Sequence, residues 1–238
     1  MSGAVEVGYV ERFKEFISGF RDESGRFKYV ERLRRMASLG GRSLIVDFAD
    51  LYRYDRELAE DLVEKPLQVL RDASEAVREL LELEYPELVE RKKKFYVRVT
   101  GLFDVLKIRD VRSEHVGKLV QIEGIVTRMH PIRSKMVKAV FRHDKCGSEF
   151  QWPQDEEELE ERVEKPGICP VCGEGGGKFV LVREKSEYVD WQKIVVQEKP
   201  EDVPGGQMPR SIEVHLRGDI VDSVRPGDRV SVVGVVKL

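Results

Sequence analysis

Two hydrophobic periods divide the chain. Up to about residue 93, apolar side chains recur every three or four positions, the repeat of a helix with one buried face. In "YVERFKEFISGF" they are Val10, Phe13, Phe16, Ile17 and Phe20, and Gly19 and Gly25 then break the segment. "YVERLRRMASL" repeats the pattern with Val30, Leu33 and Ala37 and stops at Gly40-Gly41. "PLQVLRDASEAVRELLEL" opens on Pro66, whose missing N–H costs nothing in a first helical turn, and turns Leu67, Leu70, Val77 and Leu81 inward. Between them "SLIVDF", residues 43–48, has the length and composition of a short buried strand. The pattern predicts a small helical bundle with one strand, its aromatics used for packing.

After a basic joint, "ERKKKF", the period changes to two. "YVRVTGL", "KLVQIEGIVTRM", "KMVKAVFRH", "KFVLVRE", "DWQKIVVQE", "SIEVHLRG" and "DRVSVVGVV" alternate apolar and polar residues as half-buried strands do. Short strands with Gly and Pro turns between them point to a small closed barrel. Gly124 in "IEGIV" and Gly234 in "VVGVV" sit mid-strand, where a small barrel places bends or bulges. No internal repeat is evident.

Composition narrows the classes. A chain of 238 residues exceeds what one compact domain needs, so two or three subdomains are expected. Hydrophobic residues, at 41%, suffice for a core, and 36% charged residues imply a heavily ion-paired surface. The net charge of −3 means that any polyanion must be met by a local basic face. No apolar run approaches a membrane span and no signal peptide opens the chain, so an intracellular, cytoplasmic setting is expected. There thiols stay reduced, and clustered cysteines indicate metal or catalysis.

The chain has three cysteines, and they come with a histidine: His143-x2-Cys146, then Cys169-x2-Cys172. Two short pairs joined by a loop make a tetrahedral zinc site, each pair on a tight turn. Gly147 and Gly173 follow the last ligand of each pair, where the turn needs a permissive residue. Three thiolates and one imidazole leave no open position, so the predicted Zn2+ is structural. Strands precede and follow the pairs, which makes the zinc lobe an insertion. The acidic run "DEEELEE", residues 155–161, reads as a solvated face. "GEGGGKF" mimics a phosphate loop, but Cys172 stands at its first glycine position and Phe179 where a serine or threonine would bind magnesium. No catalytic nucleophile arrangement stands out, so no catalytic residue is assigned.

Small barrels often carry single-stranded nucleic acid on one face, cations on phosphates and aromatics under bases. The DNA-binding candidates are Arg128, Arg133, Lys135, Arg183, Lys185 and Lys193; Lys138 lies among them. Trp191 and Phe141 are the aromatic candidates for stacking, with packing the plainer role for Trp191.

"VRSEHVGKLVQIEGIVTRM", the His/Cys pairs and "DWQKIVVQEKPEDVPGGQMPRSIEVHLRGDIVDSVRPGDRVSVVGVV" together resemble the N-terminal region of archaeal minichromosome maintenance (MCM) replicative helicases. The likeness is dense from about residue 96 onward and looser before it. It implies an α+β fold: a helical subdomain over 1–93, an oligonucleotide-binding (OB) β-barrel over 94–132 and 181–238, and an inserted zinc-binding subdomain over 133–180. It implies a homo-oligomer, a hexamer that can stack as a double hexamer through its zinc lobes, encircling single- and double-stranded DNA at the nucleoid. Arg128 and Lys193 are the first positions implied for DNA. Gln197, Glu198, Pro204, Gly205, Gly206, Pro209 and Arg210 would form a loop signalling to the C-terminal ATPase module of the parent chain.

Two departures qualify the likeness. The residues up to Leu238 hold no phosphate loop, so a fragment of an ATP-dependent helicase is expected, inactive alone. The basic hairpin that follows "GVVKL" in the family is also missing. Two rival readings are a free-standing zinc-containing single-strand-binding OB protein and a structural assembly module that binds no DNA.

Overall fold

The computed structural model describes residues 8–92, 94–154 and 163–237. The acidic run at 155–161 lies outside them. In chain order the elements are α1 (Tyr9–Gly19), α2 (Lys28–Ser38), β1 (Ser43–Asp47), α3 (Phe48–Tyr54), α4 (Arg56–Glu64), α5 (Pro66–Glu84) and α6 (Pro86–Arg91). They continue with β2 (Tyr96–Thr100), β3 (Val105–Leu106), β4 (Leu119–Met129), β5 (Arg133–His143), β6 (Glu149–Pro153), β7 (Phe179–Leu181), β8 (Glu187–Gln197), β9 (Ser211–Arg217) and β10 (Arg229–Val235). Helices precede a mixed sheet, as an α+β fold requires. The chain forms two compact units: Met1–Ile125 with Gln197–Ile212 and Arg229–Leu238, and Val126–Val196 with Glu213–Asp228.

The first unit is organised by aromatic packing. Helix α1 buries Phe13, Phe16 and Ile17. The Phe16 ring lies 4.6 Å from Tyr29 of α2 and 5.5 Å from Tyr54 of α3, centroid to centroid. The predicted stripe of α2 held for Leu33 and Ala37, while Val30 is only half-buried and Tyr29 and Met36 fill the core. On α5 the buried stripe is Val69, Ala73, Ala76, Val77 and Leu81, and Leu67 is 40% exposed instead of inward. At about 100° per residue, Leu67 points roughly 140° away from the direction that Val69 and Ala73 centre, on the far side of the helix.

The strand predicted at 43–48 is β1, which ends at Asp47 because Phe48 starts α3. It pairs in parallel with β2, Leu44 opposite Val97 and Val46 opposite Val99, all four buried. A buried polar knot ties this strand to α2. The Tyr29 hydroxyl donates to Asp50 (2.8 Å) and accepts from the Asp47 N–H (3.1 Å), while Lys28 reaches both carboxylates at 2.6 and 2.5 Å. Burial raises the Tyr29 hydroxyl pKa, so the group stays a donor.

In the same unit β10 pairs antiparallel with β4 from Arg229↔Ile125 to Val235↔Leu119. Of the bends or bulges expected at Gly124 and Gly234, the bulge is absent: both glycines take part in that pairing without a register shift.

In the second unit β5 is central, antiparallel to β6, β7 and β8. Its inward residues include Val137, Ala139 and Phe141. Phe141 is fully buried, which removes it as a stacking candidate. The register irregularity lies between Met136 and Lys138. The strand expected over "KFVLVRE" stops at Leu181. There the Val140 N–H bonds the Ser186 hydroxyl (3.0 Å) in place of another strand residue, and Arg183–Lys185 form a 3-10 turn.

Candidate metal centre

Two matching turns build the centre. Gly147 N–H donates to the His143 carbonyl (2.8 Å), and Gly173 N–H donates to the Cys169 carbonyl (2.9 Å). Each glycine has a left-handed backbone, φ +71° and +74°, which closes the turn just after its second ligand. His143 ends β5 and is fully buried; Cys169 is buried, and Cys146 and Cys172 are exposed.

The four ligand atoms lie within 4.8 Å of one another and can hold a metal ion. His143 Nδ1 is 3.3 Å from Cys146 Sγ and 3.4 Å from Cys172 Sγ, and Cys146 Sγ is 3.8 Å from Cys169 Sγ. A tetrahedron built on zinc–sulfur and zinc–nitrogen bonds has S···S edges of about 3.8 Å and N···S edges of about 3.6 Å. The donor set and its spacing therefore fit zinc.

The imidazole is oriented from behind. Its Nε2–H donates to the Gly176 carbonyl at 2.9 Å, which leaves the Nδ1 lone pair aimed at the sulfurs. Phe179 stacks on the ring at 4.8 Å, tilted by 17°. Gly177 presses against the same side: a Cβ there would sit 2.8 Å from His143 Nε2 and 2.5 Å from Asp144 Oδ1. That Gly176 orients the histidine and Gly177 must stay bare is visible only in the fold.

The thiols are not equivalent. Hydrogen bonds from Ser148, backbone first, hold Cys146 down to about 6. At Cys172 a backbone bond from Glu174 acts downward, but partial desolvation of the thiol and the nearby Cys169 and Cys146 outweigh it and raise the thiol. The hydrogen bond to Gly176, then that to Cys146, raises His143. A divalent cation among these sulfurs would let all three be thiolates at once.

The DNA candidates are placed as follows. Arg133 stands opposite Trp191 and Lys135 opposite Val189 across β5 and β8, so they share a face with Lys193. Lys135 is buried, and Lys193 pairs with Glu213 at 3.1 Å. Arg183 and Lys185 lie on the turn after β7, with Lys185 bonded to Glu149, and Arg128 is exposed near the end of β4. In the loop, Glu198 is buried, whereas Pro204, Gly205, Gly206, Pro209 and Arg210 are exposed. Gln197 ends β8, and the Glu198 N–H bonds the Arg210 carbonyl at 2.9 Å, joining the two ends of the loop. Arg109, which the sequence did not single out, grips the Glu198 carboxylate.

The MCM N-terminal domain family matches residues 10–101, and the MCM OB domain family matches residues 107–238. The chain belongs to the MCM family. It is 38% identical over 98% of its length to the minichromosome maintenance protein MCM of Saccharolobus solfataricus. It is 34% identical over 94% of its length to the DNA replication licensing factor mcm3 of Schizosaccharomyces pombe, and 31% over 97% to mcm2 of Xenopus tropicalis. It spans about a third of the first relative's length and about a quarter of the other two. Among the described residues, no helix is long and apolar enough to cross a membrane.

Proposed function

We propose that this MCM chain is the DNA-encircling, regulatory part of a replicative helicase, acting in the cytoplasm on the nucleoid. The observation that carries the reading is the match of both MCM domains along the chain, with a four-ligand centre set between strands of the second. Zn2+ would be held by His143, Cys146, Cys169 and Cys172 and would supply cross-linking rather than chemistry. The working division is helical over 1–93, OB barrel over 94–132 and 181–238, and zinc lobe over 133–180. DNA replication is named for its mcm3 and mcm2 relatives, which supports the same role here.

The reading assigns single-stranded DNA to the cations Arg128, Arg133, Lys135, Arg183, Lys185 and Lys193, with a hexameric ring as the assembly. Gln197 to Arg210 would report to a C-terminal ATPase module. Its exposed tip around Met208, 87% accessible, on a base held by buried Glu198 supports a segment that touches something outside its own unit.

The test is binding of labelled oligonucleotides against salt, with mass by light scattering. Sequence-indifferent binding that weakens steeply with salt is expected, and Arg128→Ala should weaken it at every sequence alike. Affinity unchanged by both Arg128→Ala and Lys193→Ala would overturn the DNA path. A strict monomer at all concentrations would overturn the ring.

A further inference from the structure

The second unit has one face whose chemistry the six cations alone do not explain. Trp191 of β8 lies against His215 of β9, ring centroids 5.3 Å apart and planes tilted by 34°. Arg133 stands directly across from Trp191 in the β5–β8 register, and Lys193 follows two residues on. Arg217, Lys193 and Lys135 all lie near enough to His215 to bias its charge, as does Glu213. Cations therefore lie beside both rings, Arg133 across from Trp191 and Arg217, Lys193 and Lys135 near His215. Glu213 is itself taken up by Lys193.

Packing does not account for the indole. Trp191 is only half-buried, yet its Nε1–H is buried and has no hydrogen-bond partner among the described residues. A phenylalanine would fill the space without an unpaired donor. Burial first, and then the charge of Arg217, hold His215 below its ordinary pKa, so at neutral pH it offers a flat uncharged ring.

We propose that Trp191 and His215 form a base-stacking subsite for single-stranded nucleic acid, with Arg133, Lys135, Lys193 and Arg217 holding the flanking phosphates. The proposal rests on the DNA-binding reading above and adds to it the place where a base, rather than the backbone, is gripped. Stacking on an aromatic platform is sequence-tolerant because every base has a π-face, and the surrounding cations add the salt-dependent part.

The test uses the whole chain carrying Trp152→Phe, which leaves Trp191 as its single tryptophan. It is titrated with fluorescently end-labelled oligothymidylate and with an abasic oligomer of the same length, reading label anisotropy and tryptophan emission together. Oligothymidylate should quench Trp191 and bind about tenfold tighter than the abasic chain, which keeps the phosphates but has nothing to stack. In the background that keeps Trp152, Trp191→Ala should erase that tenfold difference while abasic binding persists. If Trp191→Ala fails to fold, the comparison of the two oligomers on the Trp152→Phe chain still decides. Binding of both oligomers with equal affinity and no quenching would overturn the stacking subsite and leave the DNA reading standing. Binding of neither would overturn both.

Discussion

The Glu198 carboxylate is gripped by the Arg109 guanidinium, with Nε 2.8 Å from Oε1 and Nη2 2.8 Å from Oε2. Backbone N–H groups of Arg109 (3.1 Å) and Arg210 (2.9 Å) complete four hydrogen bonds to a side chain that is 3% exposed. The free side of Arg109 donates to Gln207 at 2.8 Å. A buried charge is tolerable because its partner and its hydrogen bonds are all in place. The loop from Gln197 to Arg210 therefore has a rigid base beneath an exposed tip.

Glu198→Gln keeps the shape and removes the charge. It should cost about 1–3 kcal/mol and loosen the loop, because Arg109 is left without its counter-charge. Hydrogen exchange over residues 199–210 should quicken while exchange in α5 stays as it was; equal protection in the loop of both proteins would count against the clasp.

The same carboxylate predicts an acid limb. The Arg109 hydrogen bonds first, then the Arg210 N–H, hold Glu198 at about 2 against an ordinary 4.5. A carboxylate with a depressed folded pKa contributes stability that is fully present above its ordinary value and is lost as pH falls toward the folded one. Between about pH 4.5 and 2 the wild-type chain should therefore lose stability more steeply than Glu198→Gln. Parallel denaturation curves for the two proteins across that range would refute the assignment.

Gly177→Ala should damage the metal centre without touching a ligand. Its φ of +102° disfavours any side chain, and its Cβ would collide with Asp144 Oδ1 and His143 Nε2. About 1–2 kcal/mol of backbone strain is expected before the collision is counted. Competition with a chromophoric chelator should show weakened zinc binding, whereas Gly205→Ala, where nothing lies within 4 Å, should bind zinc as the wild type does.

Metal content gives the next check. One zinc per chain should co-purify, with three sulfurs and one nitrogen in its X-ray absorption spectrum. Cys172→Ala, or a strong chelator, should unfold the zinc-binding turns because structural zinc supplies folding free energy directly. The helical unit should keep its thermal transition. Native protein with no zinc, or with iron, would remove the metal from the account.

Tyr29→Phe isolates the polar knot of the first unit. It leaves Asp50 without the hydroxyl and the Asp47 N–H without its acceptor. A loss of about 1–3 kcal/mol is expected from one buried and one part-buried bond. Urea denaturation should show it as a lower midpoint with an unchanged slope; an unchanged midpoint would mean that water replaces the hydroxyl.

The sequence by itself determined what local periodicity and local chemistry can carry. Phe13, Phe16 and Ile17 had to share a helical face, and "SLIVDF" had the length and composition of a short strand, which the fold ends one residue early at Asp47. His143-x2-Cys146 and Cys169-x2-Cys172 named the metal donors because ligand spacing is itself a local property. Tertiary structure decided what depends on partners distant in the chain. Leu67 turned outward because α5 packs through Val69 and Ala73, and Phe141 went into the sheet rather than toward a ligand. Arg109 reads as one surface cation among many until Glu198 is folded against it, and Gly177 as one glycine in a run until His143 arrives beside it. Burial and pairing are properties of the folded neighbourhood, so no window of sequence around either residue contains the group that defines its role.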